Sequence, residues 1–190
     1  MRRGIFAPPS GMFPHAGRHM RPRGQSLLEF ALVAPIFFAL LLGTLDVGMA
    51  FKTRSAYQEA ALQAVRVAAA SGQELGSDDN ALHALQMTLS TENLRNISSV
   101  DVFDATVGAP SSVVNTYMYD SASQSFMCAP ASDCSGTSSW APAKRSITVS
   151  QLDAIGIRVT YSINSVLNLL PPVHLVETAS TTLEPWSYGS

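Results

Sequence analysis

Charge is missing from this sequence where a soluble protein would carry it. No charged side chain occurs between Phe30 and Leu45, and no acid occurs before Gln25. Histidine is limited to His15, His19, His83 and His174, too scattered to form a metal-binding set. Cysteine is limited to Cys128 and Cys134, and two cysteines with no histidine close by do not make a structural zinc site. There is no GxSxG, HExxH, P-loop or GxGxxG pattern. Asp78-Asp79-Asn80 is followed by no run of oxygen ligands, so it reads as a helix cap rather than a calcium loop. Asp101 and Asp104 fall on an expected strand, at positions that face opposite ways, and read as solvated charges. These absences predict a protein that is not an enzyme and that holds no metal and no cofactor. The body of the chain is acidic and carries no basic stripe, which argues against a nucleic-acid partner.

What is present is strongly polarised along the chain. Residues 1–24 hold five arginines, Arg2, Arg3, Arg18, Arg21 and Arg23, and the remainder holds seven Lys/Arg against fourteen Asp/Glu. Between the basic leader and the acidic body lies the apolar run FALVAPIFFALLLGTL. Sixteen residues are short for a membrane span, but the apolar pattern extends at both ends. A helix over Gln25–Ala50 measures about 39 Å at ~1.5 Å per residue, enough to cross a bilayer with tilt. The arginines belong on the cytoplasmic side, which places the body outside it. A cleaved secretory signal is the alternative for this stretch. It fits less well, because Asp46 interrupts the small residues of Gly43–Ala50 and Glu29 interrupts the start of the apolar run. Pro35 removes one backbone hydrogen bond and is expected to bend the helix.

Glu29 is the informative charge. A carboxylate at the mouth of a membrane helix is costly and usually has a partner. One turn further along stand Leu32 and Val33, so the partner comes from elsewhere. Cleavage between Gly24 and Gln25 would create one, the free α-amino group of Gln25, in the same chain or on a neighbour. The alternative is a glutamate that snorkels to the interface.

The run Arg23-Gly24-Gln25-Ser26-Leu27-Leu28-Glu29-Phe30-Ala31-Leu32-Val33-Ala34-Pro35 resembles the start of TadE-like proteins of tight-adherence pili. The similarity extends through Gly43-Thr44-Leu45-Asp46-Val47-Gly48 into an Ala-rich helix ending near Gly72, about 50 residues in all. The resemblance implies a prepilin: a membrane aspartyl peptidase cuts after the glycine, and Glu29 becomes the fifth residue, followed by the aromatic Phe30. It also implies a minor pseudopilin whose partners are prepilin peptidase, other pilins and pseudopilins, the pilus assembly platform and the lipid bilayer. One departure is visible. Relatives tend to carry Ala-Ala-Arg-x-Gly-Ala-Arg after the span, whereas this chain has Ala60-Ala61-Leu62-Gln63-Ala64-Val65-Arg66, which keeps only the last arginine. An exterior binding domain on a plain anchor, not assembled into a pilus, is the alternative function. Such an anchor has no reason to place Gly24 five residues before Glu29.

Beyond the span, Lys52, Ser55, Glu59, Gln63 and Arg66 form one polar stripe at helical spacing, with alanines and valines covering the rest. Ser71-Gly72 and Leu75-Gly76-Ser77 end that helix. Leu82, Leu85 and Leu89 mark a second helix. Strands are expected over Ile97–Ala105, Val113–Tyr119, Ala154–Ile163 and Val173–Leu183, with Ser121–Lys144 a long polar loop. Cys128 and Cys134 lie in that loop, where an exterior location favours a disulfide over two free thiols. The expected fold class is α+β, pilin-like: a long membrane-spanning helix continuing into an amphipathic helix, with a small antiparallel sheet head. The segments are a leader at 1–24, a span at 25–51, a helix extension at 52–76 and a head at 77–190.

Overall fold

A computed structural model describes residues 25–109, 114–128, 140–165 and 171–185. The chain divides into two compact units, Met1–Leu42 and Gly43–Ser190. In the first, the described residues form the opening turns of helix α1 (Gln25–Ser71), and their side chains are nearly all exposed. The helix runs unbroken through Pro35.

The second unit is α+β. The later part of α1 is followed by α2 (Ser77–Thr88) and the short α3 (Thr91–Arg95). The strands are β1 (Ile97–Asp104), β2 (Val114–Asp120), β3 (Ser125–Cys128), β4 (Ile147–Thr148), β5 (Gln151–Leu152), β6 (Ala154–Ile163) and β7 (Val173–Thr182). Five of them make one antiparallel sheet in the order β3-β2-β1-β6-β7, and β4 and β5 form a separate small hairpin. α1 stops where Gly72 takes φ +52°, a left-handed conformation that costs glycine little, and its N–H closes on the Ala68 carbonyl at 3.1 Å.

The polar stripe and the alanine face of α1 divide as their spacing predicts. Lys52, Ser55, Glu59, Gln63 and Arg66 are exposed, whereas Ala60, Ala61, Ala64, Val65 and Ala68 are buried. Leu82, Leu85 and Leu89 join them from α2 and its end. The alternating residues Val100 and Val102 on β1, and Ile155, Ile157, Val159 and Tyr161 on β6, are all fully buried and complete the core. Burying each such aliphatic chain stabilises the head by about 1.5–3 kcal/mol. Tyr57 of α1 stacks on Tyr161 with ring centroids 3.6 Å apart, and its hydroxyl donates to the Asn93 carbonyl at 2.7 Å.

Three sequence-based expectations need correction. Asp78 does not cap α2. The helix begins after Gly76 with no side-chain cap, and Asp78 is turned inward and buried. The segment Ser121–Lys144 is not wholly a loop, since β3 pairs with β2 through Met118↔Met127 and Tyr119↔Phe126. Asp101 is not a solvated charge. It accepts from Thr116 Oγ1 at 2.8 Å and lies 3.6 Å from Arg158, because cross-strand register puts all three on one face. Asp104 accepts from the Thr106 N–H at 2.9 Å, a turn-forming bond.

On that same outer face Phe103 lies over its cross-strand partner Gly156. A Cβ built at Gly156 would sit 2.3 Å from the Phe103 ring, and Arg158 covers the ring at 4.8 Å. The missing side chain is therefore the space the aromatic ring occupies, an arrangement that protects a bare stretch of strand. Gly156→Val is expected to lower the thermal midpoint of the detergent-solubilised chain, at a cost of about 1–3 kcal/mol from overpacking. The same substitution in a Phe103→Ala background should cost clearly less. Equal losses in both backgrounds would contradict the ring-on-glycine contact.

Candidate functional site

α1 begins with a surface that water cannot favour. Leu27, Leu28, Phe30 and Leu32 are each about 70% exposed, and Phe37, Phe38, Leu40 and Leu45 are exposed as well. An apolar surface of this extent marks a partner or a membrane. By length and composition α1 is able to cross a membrane. This fits a single-pass membrane protein. Glu29 and Phe30 stand on the first turns, both exposed, and Pro35 lies one turn beyond. Gln25 is the first residue described. Gly24 and the leader lie outside the described residues.

The second acid of the apolar stretch, Asp46, is half-buried and accepts a hydrogen bond from Ser165 Oγ at 2.9 Å. Ser165 follows β6, so the end of a strand far along the chain meets the acid. Two turns further on, Arg54 Nε donates to Glu177 Oε1 at 2.8 Å, and Gln58 donates to the other carboxylate oxygen at 3.0 Å. Glu177 points inward from β7 and is buried, so these two helix residues supply the partners a buried carboxylate needs. At the far end of the head, the Glu184 N–H bonds the Ala69 carbonyl at 3.3 Å. These contacts run in the same order along both elements, so β7 lies alongside α1 with the same chain direction.

A second charged group is fully enclosed. Arg145 is 1% exposed, and its guanidinium pairs with Asp78 while donating to Ser77 Oγ at 3.1 Å. The guanidinium also lies over the Trp140 ring, 4.6 Å from its centre. Asp78 Oδ2 accepts from Asn115 at 2.9 Å and from the Tyr117 hydroxyl at 2.8 Å. Burial, and then the Asp78 carboxylate, push the Tyr117 phenol well above its ordinary pKa, so it stays a donor. The cluster ties the start of α2 to β2 and to the segment at 140–145. Nothing in the periodicity of the sequence pointed to it, because Arg145 and Asp78 are 67 residues apart. Cys128 ends β3 and faces Tyr117 across the ladder, and Cys134 lies outside the described residues.

No described group of His, Cys, Asp and Glu is arranged to hold a metal ion. Residues 24–66 match the family model described as TadE-like protein. That stretch covers Gly24, Gln25, Glu29, Phe30, Pro35 and Asp46 and ends at the exposed Arg66 of α1, short of the sheet. No curated protein and no solved structure matches the chain.

The two ion pairs should respond differently to truncation. Asp78→Ala leaves an enclosed guanidinium without its carboxylate and is expected to cost about 3–5 kcal/mol. Arg54 is half exposed, and Gln58 still serves Glu177, so Arg54→Gln should cost no more than about 1 kcal/mol. Thermal unfolding of the two variants in detergent reads the difference. Similar midpoints would mean that the Arg145 cluster is not the enclosed ion pair described.

Proposed function

Starting from a chain that is TadE-like over residues 24–66, we propose that it is a minor pseudopilin. On this reading it is a membrane-anchored structural or assembly component of a tight-adherence pilus, cut after Gly24 by prepilin peptidase. The observation that carries the reading is a coincidence in one place. The TadE-like stretch covers the glycine, the glutamate five residues on and the exposed apolar start of α1. A family of structural pilus proteins also accords with a chain in which no catalytic motif occurs.

The proposed partners are prepilin peptidase, other pilins and pseudopilins, the assembly platform and the bilayer. Cleavage leaves a positively charged α-amino group at Gln25, and Glu29 lies one helical turn from it. Glu29 serves as the acceptor for such an amino group on a neighbouring subunit, a charge-assisted contact worth about 1.5–3 kcal/mol in apolar surroundings. Phe30 fills space beside that contact. The five leader arginines support a cytoplasmic N-terminus and an exterior head. An exterior head also supports a disulfide between Cys128 and Cys134, which closes a short loop of small and turn-forming residues beyond β3.

Intact mass spectrometry of unreduced protein extracted from membranes tests the processing. The expected mass is that of a chain beginning at Gln25, less two hydrogens for the bridge. A retained leader in cells with an active prepilin peptidase would end the pseudopilin reading, and a full complement of thiol hydrogens would end the disulfide. Glu29→Ala should leave membrane insertion intact or improve it, because removing an acid from the span lowers its transfer cost by about 2–3 kcal/mol. Pilus assembly should nevertheless fall sharply. Normal piliation by this variant would reduce Glu29 to a side chain that only reaches for the interface.

A further inference from the structure

Where α1 changes from apolar to charged, the second unit carries a groove of about 1160 Å³. One wall is α1 from Asp46 to Ala56, and the others are the α3 segment and the adjoining ends of β6 and β7. Its level along α1 is fixed by two bonds, from Ser165 to Asp46 and from Arg54 to Glu177. The groove therefore straddles the point where the exposed apolar residues Val47, Met49 and Phe51 give way to Lys52.

Its lining brings charged and apolar side chains together. Lys52 and Arg95 are exposed cations, Glu92 is an exposed acid, and no described ion pair engages any of the three. Val47, Met49 and Val173 present apolar surface to the same space, each half or more exposed. With Asp46 included, the groove holds two positive and two negative side chains. A net-anionic ligand gains nothing from such a balance. A molecule that brings both a phosphate and an amine is matched at each end, and its apolar part has a wall to lie on.

We propose that this groove binds one phospholipid of the outer leaflet, with a zwitterionic headgroup that carries a primary amine. Lys52 and Arg95 take the phosphate, Glu92 takes the ammonium, and Val47, Met49 and Val173 cover the glycerol and first methylenes. The bound lipid fastens the base of the head to the bilayer surface and replaces water around Lys52, Arg95 and Glu92 with charged partners. This inference rests on the proposed reading of α1 as a membrane anchor with an exterior head.

Native mass spectrometry of the full chain, extracted in mild detergent from membranes containing phosphatidylethanolamine and phosphatidylglycerol, tests it. The wild type should retain one phosphatidylethanolamine in preference to phosphatidylglycerol. Retention should fall about tenfold in Lys52→Gln/Arg95→Gln, since two exposed charge contacts, each worth up to about fivefold, are lost together. Glu92→Gln should erase the preference for the amine headgroup while leaving phospholipid bound. Lys144→Gln, an exposed cation outside the groove, should change nothing. After delipidation all variants should share the wild-type thermal midpoint, because the substituted side chains are exposed. Equal retention by wild type and double variant, or retention indifferent to headgroup, would overturn the proposal. A carbonate wash separates this failure from failure of the anchor. A chain that stays in the membrane but keeps no lipid refutes the groove alone, whereas a chain released by the wash refutes the anchor on which it rests.

Discussion

α1 has to be a helix for two unrelated reasons, and the rest of the molecule follows from meeting both. Its first half has the length and apolar surface of a membrane span, and in lipid a helix is the form that satisfies backbone N–H and C=O groups within one segment. In its second half the helix is the surface on which the sheet is laid. The composition changes accordingly, from Leu and Phe in every direction to a narrow buried face of Ala60, Ala61, Ala64 and Ala68. Alanine keeps the helix intact at no cost in side-chain entropy and lets the strands approach closely. It brings little apolar area, however, so the bulk of the core is supplied from the other side. Ile155, Ile157, Val159 and Tyr161 of β6 do this, with Tyr57 as the one large residue that α1 contributes to the stack.

Polar contacts then set where along α1 the head attaches. An apolar alanine face specifies register weakly, because one alanine resembles the next. Glu177 reaching Arg54 and Gln58, Tyr57 reaching the Asn93 carbonyl, and Ser165 reaching Asp46 leave only one position in which all are satisfied. The Arg145 cluster plays the corresponding part inside the head. It is costly to enclose, and its value lies in joining three segments distant in sequence rather than in net stabilisation.

The elements that depend on local pattern could be read from the chain. α1 declares itself by an uncharged run followed by a polar stripe at helical spacing, and its end by Ser71-Gly72. β6 matches the alternation of Ile155, Ile157, Val159 and Tyr161 residue for residue, from Ala154 to Ile163. What stayed hidden was whatever depends on a distant partner. Asp78 looks like a cap until Arg145, Asn115 and Tyr117 are folded around it. Asp101 looks solvated until β2 and β6 bring Thr116 and Arg158 beside it. β3 is four residues long and lies in a stretch of serines and alanines, too short and too polar to show a strand period. Gly24, Glu29, Phe30 and Pro35 form one contiguous sequence pattern, and all four fall within the stretch that matches the TadE-like model. The bond from Ser165 to Asp46 and the groove beside it were not legible, because they join positions 119 residues apart.

On the proposed topology, α1 crosses the membrane once and carries the sheet on its exterior side. Proteinase K added to intact spheroplasts, with fragments identified by mass spectrometry, tests this most directly. The account predicts that peptides from the sheet and from α1 beyond Lys52 are digested from outside, while the apolar part of α1 stays protected in the membrane. A sheet that survives in spheroplasts and is digested only in inverted vesicles would contradict it.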